Sequence, residues 1–256
     1  MCMTLSVAII TNNEAANLPR ALASARWADQ IVVVDSHSTD TTAALARAAG
    51  AQVLLRDWTG FAAQKNFAIA QCTGDWVLSL DADEEVSAAL ALEIQTLLAS
   101  QPTADAYTLP RRNYFLGRPL AWGGFYPDAK LRLFRRGAAA FAERAVHETL
   151  HCDGAIGHLH GDLLHHAYPT LTEYIEHMNR YSALGAEILV ADHRVSRSLP
   201  AFLWNTLLTP IATFFYNYIV RLGFLDGREG LLLHLYHAAY TSWKYAKAWE
   251  SARNQK

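Results

Sequence analysis

Trp76-Val77-Leu78-Ser79-Leu80-Asp81-Ala82-Asp83-Glu84-Glu85 decides the fold: five residues of buried-strand character end abruptly in four carboxylates. Two earlier segments repeat the pattern, and a shorter strand follows them. Leu5-Ser6-Val7-Ala8-Ile9-Ile10 runs into Thr11-Asn12-Asn13-Glu14, Ile31-Val32-Val33-Val34 runs into Asp35-Ser36-His37-Ser38-Thr39-Asp40, and Gln52–Leu55 is a short third strand. Strands apolar on both faces belong to parallel sheets covered by helices. Helices are expected between them: over 14–27, with Leu18, Ala21, Leu22 and Ala25 at helical spacing, over 41–49 behind a capping Asp40, and over 61–71. The pattern βαβα predicts a doubly wound α/β fold, in which ligands sit beyond the carboxyl ends of the strands. The polar residues gather there.

Charge and composition narrow the function. The 256 residues carry 22 Lys+Arg against 24 Asp+Glu, a net charge of −2, which gives no field for a nucleic-acid backbone. Hydrophobic residues make up 52%, which excludes a disordered chain. Three cysteines, far apart and odd in number, imply a reducing, cytoplasmic compartment without a disulfide framework. No basic segment precedes Leu5–Ile10, so no signal peptide is expected. Thr11-Asn12-Asn13-Glu14 is neither a dinucleotide fingerprint nor a phosphate loop, which disfavours NAD enzymes, P-loop NTPases and nucleotidyltransferases.

Three strands that deliver carboxylates to one edge call for a counter-cation, and oxygen ligands favour Mg2+ or Mn2+ bridging a diphosphate. For Asp40, helix capping and site chemistry are both open. For Asp128, which follows Pro127, so are a turn and a catalytic role. Arg132, Arg135 and Arg136 either contact phosphate or alternate outward on a solvated strand. His147-Glu148-Thr149-Leu150-His151 spells the zinc-protease pattern, but that pattern needs a helix, and Gly154 and Gly157 follow too closely. It reads as a decoy.

The first 85 residues, with Gln64-Lys65-Asn66-Phe67-Ala68, resemble the opening of family 2 glycosyltransferases of the GT-A fold. Trp122-Gly123-Gly124-Phe125-Tyr126-Pro127-Asp128, the run to Arg136, Val146-His147-Glu148 and Gly223-Phe224-Leu225-Asp226-Gly227-Arg228-Glu229-Gly230 are similar to the lipopolysaccharide-core β-glucosyltransferase subgroup. The resemblance implies a Rossmann-like, mostly parallel sheet flanked by helices, with a C-terminal helical extension. It also implies a donor half over 1–110, an acceptor half over 111–168 and helices over 169–256. By the same resemblance Asp35 holds the nucleotide base, Thr11 and Glu14 line its pocket, and Lys65 and Asp81 lie on the donor. Asp83 binds the metal, and His165 completes its shell. The resemblance makes Glu148, or else Asp128, the general base of an inverting transfer and UDP-glucose the donor. The partners implied are a nucleotide-diphosphate sugar and a glycan or lipid-linked glycan acceptor, with no nucleic acid. A non-catalytic membrane-associated scaffold is the alternative that retains the fold.

The segment 199–222 is rich in Leu, Phe, Trp and Tyr but interrupted by Asn205, Pro210, Asn217 and Arg221. An interfacial helix pair on the inner face of the cytoplasmic membrane, with Arg194, Arg197 and Arg221 beside anionic lipid, is one reading. A buried hairpin or oligomer contact and a true span are the others.

Overall fold

A computed structural model describes residues 3–142 and 149–254. The chain divides into two compact units, Met1–Arg112 with Asp128–Ala167 and Asn113–Pro127 with Tyr168–Lys256.

In the first unit, β1 (Leu5–Thr11), β2 (Gln30–Asp35), β3 (Gln52–Leu55) and β4 (Trp76–Asp81) form a parallel block in the order β3-β2-β1-β4. The apolar runs form strands here because both faces are covered. Val7, Ile9, Leu78 and Leu80 fill one core, and Ala8, Val32, Val34 and Val77 fill the other. The sheet continues in mixed sense. β8 (Asp128–Arg135) joins β4 antiparallel, and β6 (Ala106–Phe115), β12 (Leu163–Tyr168) and β5 (Glu84–Val86) follow. β7 (Arg118–Pro119) and β11 (Ile156–His158) pair with β6, while β9 (Ala139–Ala142) and β10 (Thr149–Cys152) form a separate ribbon.

The helices α1 (Leu18–Ala25), α2 (Thr42–Ala48), α3 (Phe61–Ala70) and α4 (Ala88–Ala99) flank the sheet. In α1 the buried residues are Leu18, Ala21, Leu22 and Ala25, the four at helical spacing. The helix is shorter than the expected 14–27. Residues 14–17 form a turn in which the Glu14 carbonyl accepts from the Asn17 and Leu18 N–H groups. The N-cap of α2 is Thr41 and not the expected Asp40, whose carboxylate accepts the Thr42 N–H at 2.9 Å from one residue further out. β10 covers His151, so among the described residues the second half of the His-Glu-x-x-His pattern lies on a strand and not on the helix that a zinc-protease site needs. Cys72 and Cys152 are free thiols.

The second unit holds α5 (Leu171–Ala191) packed on α8 (Gly227–Asn254). Between them runs a broken helix: α6 (Leu199–Leu203), a π-helical turn over Trp204–Leu208, α7 (Thr209–Phe215) and a second π-helical turn over Tyr216–Val220. No helix among the described residues is long and apolar enough to cross a membrane.

The two glycine motifs meet inside this unit. Asp226 is 3 % exposed, and its carboxylate accepts the N–H groups of Ala121 and Trp122, each at 3.0 Å. Gly123, at φ +65°, and Gly223 both lie against the His234 ring. A Cβ on either would stand 2.1 Å from Nε2. His234 is buried, and neither ring nitrogen has a hydrogen-bond partner among the described residues. Burial pushes its pKa down to about 4. The charges of His237 and Arg221 add to this, and Asp226 opposes it.

Candidate active site

All the sequence-predicted site residues that are described lie in the first unit, at or near the carboxyl ends of β1, β2 and β4. Thr11 ends β1 and pairs in register with Asp35, which ends β2. Asp35 is 1 % exposed, and its carboxylate accepts the Ser38 N–H at 2.9 Å and the Ser38 hydroxyl. Ser36 donates its N–H to the Thr11 carbonyl at 2.9 Å and takes a hydrogen bond from the Gln64 amide at 3.0 Å. Two buried oxygens here, Thr11 Oγ1 and Gln64 Oε1, have no partner among the described residues. Buried polar atoms left unsatisfied are costly and mark places where a ligand or water belongs.

Glu14 lies close enough to feel the D-x-D pair. Its carboxyl is raised above the ordinary range by burial first, and by the charges of Asp83, Asp40 and Asp81, against a hydrogen bond from Asn17.

The two aspartates of the D-x-D pair have different neighbours. Asp81 is gripped by two cations, Lys65 Nζ at 2.8 Å and Arg132 Nη2 at 2.5 Å. Burial alone would raise its pKa, but Arg132 and then Lys65 outweigh it and hold the carboxyl far below the usual range. Asp83 faces His165 instead, with Oδ2 3.2 Å from Nε2. The strand pairing explains the meeting. β5 follows Asp83 directly and runs antiparallel to β12 with Glu84 opposite His165, and the Asp83 carbonyl accepts the His166 N–H at 3.0 Å. Burial opposes ionisation of Asp83, and the hydrogen bond and charge of His165 more than offset it.

Most of the counter-charge demanded by the carboxylate edge comes from the chain. Arg132 also reaches the fully buried Glu84 at 2.7 Å. Glu84 lies 3.4 Å from Arg111, Arg111 lies 2.6 Å from Asp128, and Lys130 closes the series 2.9 Å from Asp128. Lys65, Asp81, Arg132, Glu84, Arg111, Asp128 and Lys130 thus alternate in sign. Arg132, expected either on phosphate or facing solvent, does not face solvent: its side chain is 7 % exposed and bound to carboxylates. Arg135 stacks over Trp76 at 5.2 Å. Nothing in the local sequence marks Glu84 and Arg111 as members of this series, because each is placed by cross-strand pairing. Asp128 is held below the ordinary carboxylate range, the charge of Arg111 and the bond from Lys130 outweighing burial, which makes it a weak proton acceptor. Glu148 lies outside the described residues.

Asp83 and His165 would fit a divalent cation as two protein ligands, the number such ions commonly take beside substrate phosphates. Among the described residues no group of three His, Cys, Asp or Glu side chains is placed to hold a metal ion.

Comparison with known proteins gives the class and then the family. A mannosyltransferase from Pyrobaculum calidifontis, solved in complex with GDP-Man and Mn2+, superposes with a TM-score of 0.55 at 18% identity, covering 100% of this chain and 89% of that one. Glucosyl-3-phosphoglycerate synthase from Mycobacterium tuberculosis, in complex with phosphoglyceric acid, gives 0.51 at 19% identity, over 73% of this chain and 79% of that one. The fold is thus that of GT-A glycosyltransferases. The Glycosyl transferase family 2 model matches residues 6–149, and the chain belongs to that family. It is 33% identical over 232 residues to the lipopolysaccharide core biosynthesis glycosyltransferase LpsC of Rhizobium meliloti, covering 88% of this chain and 82% of that protein. It is 31% identical over 268 residues to an uncharacterized glycosyltransferase of Rickettsia felis, covering 98% and 92%.

Proposed function

We propose that this glycosyltransferase moves a hexosyl group, glucose from UDP-glucose, onto a hydroxyl of a lipopolysaccharide-core or other cell-envelope glycan, with inversion at the anomeric carbon. The observation that carries the reading is the split D-x-D pair: Asp83 set against His165, and Asp81 set between Lys65 and Arg132.

Asp35, with Thr11 and Glu14, holds the nucleotide at the ends of β1 and β2, where Thr11 Oγ1 offers an unspent hydrogen bond. Asp81 faces the ribose, fixed by its two cations. Asp83 and His165 hold the Mg2+ or Mn2+ ion, which when bound neutralises the departing diphosphate. Glu148 takes the proton from the acceptor hydroxyl as that oxygen attacks. Asp128 orients Arg111 through the contact seen here, in place of the base role open to it from the sequence. In this scheme residues 1–110 serve the donor and 111–168 the acceptor. A lipid-linked acceptor agrees with peripheral contact of 199–222 with the inner face of the cytoplasmic membrane.

A donor panel read by nucleotide release, with Mn2+ or Mg2+ present, tests the proposal. UDP-glucose should turn over, and Asp83→Ala and His165→Ala should each lower the rate at least a hundredfold. Metal-dependent turnover that survives Asp83→Ala unchanged would refute it.

A further inference from the structure

The broken helix over 199–220 is inside out. Its exposed positions come in pairs at 199/200, 203/204, 207/208, 211/212, 215/216 and 219/220, a repeat of four residues. Every one of these positions carries an apolar or aromatic residue. The polar residues Asn205, Thr206, Thr209, Thr213 and Asn217 all fall on the half-buried side. There they bond within the protein: Asn205 donates to Ser196 Oγ at 3.0 Å, Thr213 to the Thr209 carbonyl at 2.8 Å, and the Thr206 carbonyl accepts from Ser242 at 2.8 Å. An ordinary surface helix presents the opposite arrangement to water.

The two π-helical turns keep this stripe straight. In an uninterrupted α-helix of 3.6 residues per turn, a four-residue repeat drifts by ~40° each turn and would wind about 200° around the helix by position 219. A π turn takes ~4.4 residues, so ten π residues among 22 bring the mean near 4 and cancel the drift. Trp204 is 62% exposed, Phe215 56% and Val220 68%. Ten such large side chains, each about half exposed at ~200 Å² apiece, present on the order of 1,000 Å² of apolar surface, well above the patches usual on a monomer.

Charge selects the occupant. Residues 193–225 contain Arg194, Arg197 and Arg221, one histidine, and no Asp or Glu. Arg194 and Arg197 are exposed just ahead of the stripe. A second copy pairing through the same face would bring like charges together without an acidic complement, since a two-fold interface is self-facing. An anionic bilayer supplies both an apolar layer and phosphates.

We propose that the π-bulged helix 199–220 is an in-plane docking surface for anionic phospholipid, its straight apolar stripe lying among the acyl chains and Arg194, Arg197 and Arg221 on the headgroup phosphates. This deepens the membrane-side reading of the acceptor, and lipid binding is measured without substrate, so it stands or falls apart from the transfer reaction.

The test is flotation of the full chain with vesicles of phosphatidylglycerol and phosphatidylethanolamine, against vesicles of phosphatidylcholine. The protein should float with the anionic vesicles and stay behind with the neutral ones. Leu207→Ser with Leu208→Ser should lose at least tenfold in partition, and Arg194→Glu with Arg197→Glu a similar factor, with donor hydrolysis unchanged in both. Brominated acyl chains should quench a fluorescence component that disappears in Trp204→Phe, a readout that does not depend on the serine variants folding. Equal binding to neutral vesicles, absence of binding to either, or serine variants that only convert a dimer to a monomer would each overturn the proposal.

Discussion

Arg132→Met removes the cation at the centre of the charge series, and the structure sets the size of the effect. Arg132 touches Asp81 at 2.5 Å and Glu84 at 2.7 Å, with Glu84 fully buried. After the substitution the cations left among the described residues are Lys65, 2.8 Å from Asp81, and Arg111, 3.4 Å from Glu84. Breaking a buried pair from one side costs about 3–5 kcal/mol, because the abandoned charge stays desolvated. At ~2–4 °C per kcal/mol for a domain of this size, the melting temperature should fall by about 6–20 °C. Adding Glu84→Gln should restore part of the loss, since the amide oxygen can still accept the Asp81 N–H that Glu84 Oε2 accepts at 3.0 Å. The pH dependence has a definite sign. The folded carboxyl of Asp81 lies below its unfolded value, so its contribution is complete above the ordinary aspartate range and is lost as pH falls through the lower folded value. Without Arg132 the folded carboxyl titrates closer to its unfolded value, so less stability depends on its ionisation and the melting deficit should shrink as pH falls toward the aspartate range. Differential scanning fluorimetry of the three proteins from pH 4 to 8 reads both effects. An Arg132→Met protein that melts within ~2 °C of the parent at every pH would refute the argument.

The second unit should lose stability in acid for a different reason. His234 is buried and neutral with a pKa near 4, so its contribution is complete above about 6.5 and drains away as pH falls toward 4, by about 3 kcal/mol in all. His234→Gln should flatten the pH profile of unfolding across that window, and an unchanged slope would count against the assignment. Gly123→Ala puts a methyl 2.1 Å from His234 Nε2 at a positive φ, and should cost at least ~3 kcal/mol in denaturant unfolding, whereas Gly137→Ala, which meets nothing within 4 Å, should cost only the ~1 kcal/mol of its own positive φ. Asp128→Asn should lower kcat/KM less than tenfold if Asp128 only orients Arg111. A loss of a thousandfold, with the acidic limb of the pH–rate profile abolished, would make it the base.

The parallel strands were legible because a parallel strand covered on both faces must be apolar without interruption, and the runs at 5–10, 31–34, 52–55 and 76–80 reappear as β1 to β4 within a residue or two. Their polar ends were legible for the same reason, since side chains beyond the core are free to be carboxylates. The pairing of Asp83 with His165 came from family resemblance; nothing in the spacing of residues 82 apart requires it, and antiparallel registry of β5 on β12 brings the two side chains together. Arg132 shows the limit of alternation as a guide. Flanked by Leu131 and Leu133 it reads as an outward residue, yet the face it points to is itself covered, and charge pairing makes its burial tolerable.

By itself, then, the chain's pattern of apolar runs and terminal carboxylates determined the α/β sheet and the edge at which chemistry collects, because burial on two faces constrains each strand locally. The tertiary structure alone decided which carboxylates are neutralised by arginine and lysine and which faces a histidine, because those partners arrive from distant strands. It also decided that the aromatic segment 199–220 turns its apolar side outward, because two π-helical turns, invisible in composition, set the repeat that keeps that side in line.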